Sequence, residues 1–440
     1  MGDCTGRGLV STLNLAPDHA RGLSLAETAH GARISLTARL LRRLLSLLGS
    51  PPIGVQLWNG DPIQVGTGPT LATIFIKDRS ALLKFLVDPE MQFGELYLDG
   101  RIALQGGDLV ALLQQVFLRQ PRAADPDSVS ARLTALLRNT QRNTLSGSRR
   151  NIRTHYDLGN DFYRLWLDPT LAYTCAYFAT PESTLAEAQL AKYDHVCRKL
   201  NLRAGDEVVE LGCGWGSLAM HAASRYGARV RAFNISHEQI KHAREQALSL
   251  GLGDRVEFIE DDYRNLSSSC DAIVSVGMLE HVGRENFAGL GRLIARSLRT
   301  TGRGLIHTIG RSAPAPTNPW IERHIFPGAY IPSLREILQI FELTDMSVND
   351  VENLRPHYAR TLELWLSAFE AQRAAVTTMF DERFVRMWRL YLAGSQAAFQ
   401  SGDLQLFQVL FSPARHGQLA WTRAHWYDTT RAPAWNTAKS

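Results

Sequence analysis

This 440-residue chain has no run of about 18 apolar residues, so no membrane-spanning helix is expected. Cysteine is scarce. The five (Cys4, Cys175, Cys197, Cys213, Cys270) are scattered and odd in number, and no C-x-x-C pair occurs. Neither a disulfide framework nor a metal site is therefore expected. Met1 to Ala20 lack a basic segment leading into an apolar stretch, so no secretory signal is expected. Charge of one sign is also lacking. The 48 basic and 43 acidic residues leave an excess of five, which permits attraction to an anionic surface without marking a nucleic-acid binder. What is present is an ordinary 45% of hydrophobic residues, which excludes disorder throughout and a fibrous repeat. At roughly 100–200 residues per domain, two or three domains are expected. The expectation is a soluble protein of a reducing compartment, the cytoplasm.

Residues 1–30 are polar and weakly periodic and read as a loose tail. From Ile34 to Leu48, Leu36, Leu40, Leu41, Leu44, Leu45, Leu47 and Leu48 recur at helical spacing, flanked by Arg33, Arg39, Arg42 and Arg43. Short β-like runs (Gly54–Trp58, Ala72–Lys77) then alternate with helical ones (Ser80–Leu86, Asp108–Phe117), enough for a small α+β domain over 31–120. Residues 121–150 are rich in Pro, Ser, Asn and Arg and read as a linker with a short helix at Ala131–Leu137. From Asp206 on, strands alternate with helices. The strand candidates are Glu207–Leu211, Arg229–Asn234, Val256–Glu260, Ala272–Val276 and Gly304–Ile309. Two helices between them span His237–Leu250 and Glu285–Leu298. Such alternation implies an α/β fold with a mainly parallel sheet covered on both faces. A Pro-rich insertion, Pro314 to Pro332, precedes helices near Thr361–Met379 and Glu382–Ser401.

The central signal is Val208-Val209-Glu210-Leu211-Gly212-Cys213-Gly214-Trp215-Gly216-Ser217. A strand ends, a glycine turn follows and a helix starts, which places a ligand at the carboxyl edge of the sheet. A dinucleotide fingerprint wants its third glycine one residue later, and Glu210 disfavours a pyrophosphate while suiting a cationic ligand end. The run resembles the E/D-x-G-x-G-x-G loop of S-adenosylmethionine (SAM) methyltransferases. A dinucleotide site and a merely structural turn are the weaker alternatives. Asn234, at the end of the next strand, and Gln239 are placed for ribose hydroxyls. Asp262 is placed for an adenine amino group, with Tyr263 beside the ring; a solvated turn is the plain alternative for Asp261 and Asp262. Cys213, inside the glycine loop, is expected to pack rather than react.

Several further motifs occur in order. They are His155-Tyr156-Asp157-Leu158-Gly159-Asn160-Asp161-Phe162-Tyr163, Tyr173-Thr174-Cys175-Ala176-Tyr177-Phe178, Gly277-Met278-Leu279-Glu280-His281-Val282-Gly283, His307-Thr308-Ile309-Gly310, Asn318-Pro319-Trp320-Ile321, Ile325-Phe326-Pro327-Gly328 and His357-Tyr358-Ala359-Arg360-Thr361-Leu362. Together they resemble the cyclopropane-fatty-acyl-phospholipid synthase family, which includes the mycolic acid cyclopropane synthases, from about Asn151 to Gln408. The amino-terminal region is similar more weakly, chiefly through Gly94-Glu95-Leu96-Tyr97-Leu98-Asp99-Gly100.

The resemblance implies a Rossmann-like class I SAM-dependent methyltransferase domain over 151–430, with a lipid-binding insertion at 311–360. The small domain at 31–120 would then serve lipid binding or dimerisation. The implied reaction is methylene addition across a cis double bond of an unsaturated phospholipid acyl chain, with bicarbonate as base. A related enzyme making a methyl-branched lipid, or using another acceptor, is the alternative. Implied bicarbonate ligands are Cys175 (through its backbone), Glu280, His307, Ile309 (backbone) and Tyr358. Implied SAM contacts are Tyr173, Thr174, Gly212, Gly214, Asn234, Gln239, Tyr263 and Arg264; Glu210, Gly216 and Asp262 join them from the loop reading above. Two positions depart from the family. Asn234 stands where Thr is usual, and Ser395, between Tyr391 and Phe399, stands where many members carry Cys, so no thiol there can act as nucleophile. Aromatic faces can stabilise a carbocation on the acyl chain; Tyr156, Phe162, Tyr173, Tyr177, Phe178, Tyr358 and Trp365 are the candidates, with ordinary core packing the alternative for each. The lipid would be reached by peripheral association with the inner face of the membrane. The Ile34–Leu48 leucines are the best amphipathic element for that, unless they pack into the small domain instead.

Overall fold

The computed structural model describes residues 36–47, 50–60, 62–67, 69–119 and 158–428. The expected tail, the linker with its Ala131–Leu137 helix, and His155, Tyr156 and Asp157 lie outside the described residues.

A helix at Leu36–Leu47 opens the described chain. Its Ala38, Leu41 and Leu45 are buried at spacings of three and four, while Arg39, Arg42 and Arg43 are exposed. Leu41 and Leu45 are thus spent on packing and are not free to enter a bilayer. Four strands follow, β1 (Ile53–Leu57), β2 (Pro62–Val65), β3 (Ala72–Ile76) and β4 (Ile102–Gly107), in the order β2-β1-β3-β4. Between β3 and β4 lie helices Arg79–Val87 and Pro89–Leu98, each capped by an aspartate side chain, Asp78 and Asp88. The helix Leu109–Arg119 leads out of this unit and lies against the helix Glu382–Ser401. One buried apolar cluster therefore runs unbroken from β1 through Leu109 and Leu112 to Leu392 and Trp388.

The larger sheet has seven strands, β5 (Glu207–Leu211), β6 (Arg229–Asn234), β7 (Val256–Glu260), β8 (Cys270–Val276), β9 (Leu298–Gly310), β10 (Met346–Asn353) and β11 (Gln405–Pro413). Their order is β10-β11-β9-β8-β5-β6-β7. Strands β5 to β9 are parallel, and β11 runs antiparallel between β9 and β10. The chain winds outward from β5 through β6 to β7, then crosses back to β8. The switch point therefore falls between β5 and β8, where ligands of open α/β sheets bind. Residues 355–379, expected as one helix starting at Thr361, instead form two, Arg355–Ala371 and Arg373–Met379. Pro356 opens the first, at the position where its missing N–H costs nothing.

Candidate active site

The loop after β5 is shaped by three glycines with positive φ: Gly212 (+82°), Gly214 (+53°) and Gly216 (+83°). They serve different ends. A Cβ on Gly214 would meet nothing within 4 Å, because its α-carbon faces the open pocket. A Cβ on Gly212 would lie 2.9 Å from Met278. One on Gly216 would lie 2.4 Å from the Phe258 ring, and the Gly216 N–H already donates to the Cys213 carbonyl. Gly216, expected among the ligand contacts, therefore seats the loop on β7 instead.

The pocket at this loop has a volume of about 120 Å³ and includes Tyr173, Thr174, Glu210, Gly212, Gly214, Asn234 and Gln239 in its walls. The Glu210 carboxyl is buried, and its Oε2 has no hydrogen-bond partner among the described residues. Burial pushes this carboxyl up to about 7, against the pull of the nearby Lys192 ammonium. A buried acceptor without a partner above an open glycine suits the ammonium end of SAM. Asn234 does not reach out as expected. Its amide nitrogen donates to the Gly214 carbonyl (3.1 Å) and to Gln239 Oε1 (2.8 Å), and its Oδ1 accepts from the Ile235 and Ser236 N–H groups. Asn234 braces the loop by these four bonds. Asp262, Tyr263 and Arg264 line an adjoining crevice together with Phe233 and Ile235. There Asp262 Oδ1 accepts from the Arg264 N–H at 3.0 Å and faces its guanidinium at 3.4 Å.

Two polar residues of this site were not found in the sequence. Gln189 and Lys192 lie three apart on one side of helix Leu185–Lys199, both buried. Gln189 donates to the carbonyls of Ala172 (3.3 Å) and Thr174 (2.9 Å), and Lys192 donates to Thr174 Oγ1 (2.8 Å). They hold the Tyr173-Thr174 segment in place. Burial lowers the Lys192 ammonium to about 8, opposed by Asp168, Cys175 and Glu210. Two polar residues at helical spacing among apolar ones were the available signal.

A second cavity, of about 250 Å³ and mostly apolar, adjoins the first. Tyr173, Thr174, Gly277 and His281 face both. Glu280, Ile309, Tyr358, Phe326 and Tyr391 line the second, joined by Phe93, Leu113 and Phe117 of the amino-terminal unit. Tyr173 and Tyr391 link their hydroxyls at 2.7 Å across this wall. Glu280 follows β8 in a short turn, is buried, and accepts the Ile309 N–H at Oε1 (2.6 Å); its Oε2 has no partner among the described residues. Burial raises the Glu280 carboxyl. The Ile309 N–H, expected to bind bicarbonate, is thereby committed to Glu280.

His307 lies inside β9, buried, with Nδ1 3.1 Å from the Gln408 amide nitrogen and Nε2 without a partner among the described residues. Burial, aided by the Lys192 and Lys199 charges, lowers it to about 3, so it is neutral at ordinary pH. Cys175 is wholly buried, with its thiol donating to the Ala176 carbonyl at 3.2 Å. Burial raises the thiols of Cys175, Cys197, Cys213 and Cys270, which keeps them unreactive.

Of the aromatic candidates, Tyr173 and Tyr358 face the apolar cavity. Trp365 packs behind them, with ring centroids 5.3 Å from Tyr173 and 6.0 Å from Tyr358. Phe162 sits in a core of rings with Trp166, Phe380 and Trp388. Tyr177 stacks between His195 and His357, and the Phe178 N–H donates to His357 Nδ1, away from the cavity.

Comparison with known proteins agrees with this geometry. The sequence model described as "Mycolic acid cyclopropane synthetase" matches residues 143–409, and a domain of unknown function matches residues 40–124. A probable fatty acid methyltransferase of Pseudomonas putida is 36% identical over 391 residues, covering 86% of this chain and 96% of that protein. The cyclopropane-fatty-acyl-phospholipid synthase of Escherichia coli K12 is 40% identical over 261 residues, covering 59% of this chain and 67% of that protein. The crystal structure of mycolic acid cyclopropane synthase CmaA1 complexed with SAH and CTAB superposes with a TM-score of 0.57 at 32% identity, over 60% of this chain and 97% of that one. A sheet wound about β5, a glycine turn beneath a buried carboxylate and the motifs around both cavities thus coincide with a family match over most of the chain: this protein belongs to the mycolic acid cyclopropane synthetase family and is a SAM-dependent methyltransferase with the class I fold.

Proposed function

We propose that this enzyme adds a methylene across the cis double bond of an unsaturated phospholipid acyl chain, with bicarbonate as base. One observation carries the reading. The polar pocket under Glu210 and the apolar cavity share the wall formed by Tyr173, Thr174, Gly277 and His281, and Glu280, whose Oε2 has no partner among the described residues, is one of the residues lining the apolar side.

When bound, SAM supplies an electrophilic methyl group and bicarbonate a base small enough to reach the new carbon. Glu210 holds the cationic end, and Gly214 lets the loop backbone approach. The residues fit the anion as well. Glu280 Oε2 and His307 Nε2 are buried polar atoms without partners among the described residues, and Glu280 is bonded to the N–H of Ile309, two positions beyond His307 on β9. A carboxylate oxygen can accept the hydroxyl proton of bicarbonate, and a neutral imidazole can donate to its charged oxygen. The cavity around Phe326, Leu362 and Leu390 excludes water, which would otherwise trap the electron-poor chain. The faces of Tyr173 and Tyr358 are the groups that stabilise positive charge there. The named relatives act on acyl lipids, which supports this substrate class. Among the described residues no helix is long and apolar enough to cross a membrane, so the lipid is met by peripheral association, with the exposed Arg39, Arg42 and Arg43 favouring an anionic surface.

The test is turnover of labelled SAM on vesicles of cis-unsaturated phospholipid, in carbon dioxide-stripped buffer with and without added bicarbonate. Ring protons in the NMR spectrum of the extracted lipid, and stimulation by bicarbonate, are expected. A methyl branch in place of the ring would overturn the reaction, and indifference to bicarbonate would overturn the base.

A further inference from the structure

Gln408 lies in the middle of β11, opposite His307 of β9 on one side and Glu352 of β10 on the other. Directly opposed residues share a face of the sheet, so three polar side chains form a row across three strands. The row is conspicuous because its neighbours along β11, Leu406, Phe407, Val409 and Leu410, are all apolar and buried. Gln408 is itself completely buried. Burying an amide is costly unless both its ends are bonded. Here only one is. The nitrogen lies 3.1 Å from His307 Nδ1, and the oxygen has no partner among the described residues.

A neutral imidazole carries one N–H and one lone pair. An amide N–H directed at Nδ1 requires the lone pair there, which leaves the ring proton on Nε2. That nitrogen is the one without a partner among the described residues. The charged groups nearby do not compete for Gln408. The Glu352 carboxylate accepts from His195 Nε2 (2.8 Å) and Lys199 Nζ (2.5 Å), both reaching from helix Leu185–Lys199.

We propose that Gln408 is a positioning residue that fixes His307 as its Nε2–H tautomer, so that the ring offers a donor to the anion while Glu280 Oε2 offers an acceptor. The proposal rests on the anion reading given above. One donor and one acceptor match an anion that carries a single hydroxyl, which distinguishes bicarbonate from a fully deprotonated oxyanion such as nitrate.

The full-length protein labelled with ¹⁵N-histidine tests this directly. Long-range proton–nitrogen spectra are recorded near pH 7.5, with His307 assigned by the signal lost in His307→Asn. A protonated Nε2 and a bare Nδ1 are expected in the unsubstituted protein; a protonated Nδ1 overturns the proposal, whatever any variant does. Gln408→Glu should move the proton to Nδ1 and lower turnover by about 10–100-fold, by analogy with the loss seen when the partner that orients a metal-ligating histidine is removed. Its KM for SAM should stay within about twofold. Gln408→Met should give mixed tautomers and a smaller loss that added bicarbonate partly restores. A Gln408→Glu protein that still binds SAM by calorimetry and keeps both tautomer and turnover also overturns it. Tautomers that shift as expected while no form responds to bicarbonate would sink the anion reading and leave the positioning role of Gln408 standing.

Discussion

Glu280 Oε1 accepts the N–H of Ile309 at 2.6 Å, which ties the turn after β8 to the end of β9 and directs the carboxylate by one oxygen only. The other oxygen has no partner among the described residues. Glu280→Gln can keep the bond to Ile309 through its carbonyl oxygen while presenting a donor in place of that free acceptor. Turnover should fall by about 100-fold, within the range for losing a group engaged in proton transfer. SAM affinity by calorimetry should stay within about twofold, because Glu280 does not line the SAM pocket. A parallel loss of SAM binding would mean that Glu280 only supports the fold.

Glu210 should make SAM binding depend on pH. Burial pushes its carboxyl up to about 7. A group titrating there is roughly nine-tenths protonated at pH 6 and one-tenth at pH 8, so the dissociation constant should fall about tenfold over that interval. The stability of the unliganded protein moves the other way. The folded state holds this proton more tightly than the unfolded chain, so the contribution is complete below the ordinary carboxyl range and is lost as pH rises through about 7. Glu210→Gln should therefore melt higher than the parent at pH 8, bind SAM weakly, and show little pH dependence in either property. Calorimetry and thermal melts at the two pH values check both signs.

The parts of this architecture readable from the chain were those where one local rule sufficed. Strands β5, β6 and β7 fall where apolar runs between turns place them, because each is a parallel strand flanked by amphipathic helices. Strands β10 and β11 were missed for opposite reasons. Met346-Ser347-Val348-Asn349-Asp350-Val351-Glu352-Asn353 is too polar to announce a strand, while Gln405–Pro413 is buried on both faces and loses its alternation. The leucines of Ile34–Leu48 supported two readings, and only tertiary contact decided that Leu41 and Leu45 pack inward. Of the residues that the family resemblance grouped, Glu280, Ile309 and Tyr358 share one cavity wall, while Cys175 and His307 do not line it. The sequence motifs could not foresee that Asn234 and Gly216 would be used up inside the protein, or that Gln189 and Lys192 would be buried, since both outcomes depend on what lies across the fold.

Gly214 and Gly216 separate binding from folding within one loop. Gly214→Ala adds a methyl group toward the pocket at a φ of +53°. The strain costs about 1–2 kcal/mol, and SAM affinity should fall at least tenfold. Gly216→Ala drives a Cβ to 2.4 Å from the Phe258 ring at a φ of +83°. Overpacking and strain together should cost about 2–4 kcal/mol, while the protein that remains folded binds SAM with near-normal affinity. Thermal melts and calorimetry at a temperature where both variants are folded give the comparison. Equal losses of affinity would refute the division of labour.

Gly94 and Trp320 set how closely the amino-terminal unit approaches the insertion at 311–360. A Cβ on Gly94 would lie 2.3 Å from the Trp320 ring, so the helix Pro89–Leu98 can dock there only without a side chain. Glu95, the next residue, accepts from His324 Nε2 at 2.6 Å and holds the same joint. Phe93 and Gly94 line the apolar cavity together with Trp320 and Ile321, so the joint is also part of the cavity wall. Gly94→Ala must push the two surfaces apart, at about 1–3 kcal/mol. Turnover on phospholipid vesicles should drop several-fold while SAM affinity is unchanged. Gly106→Ala serves as the control, since a Cβ there meets nothing within 4 Å. A Gly94→Ala enzyme that melts lower but turns lipid over at the parental rate would show that the amino-terminal unit braces the fold without shaping the apolar cavity.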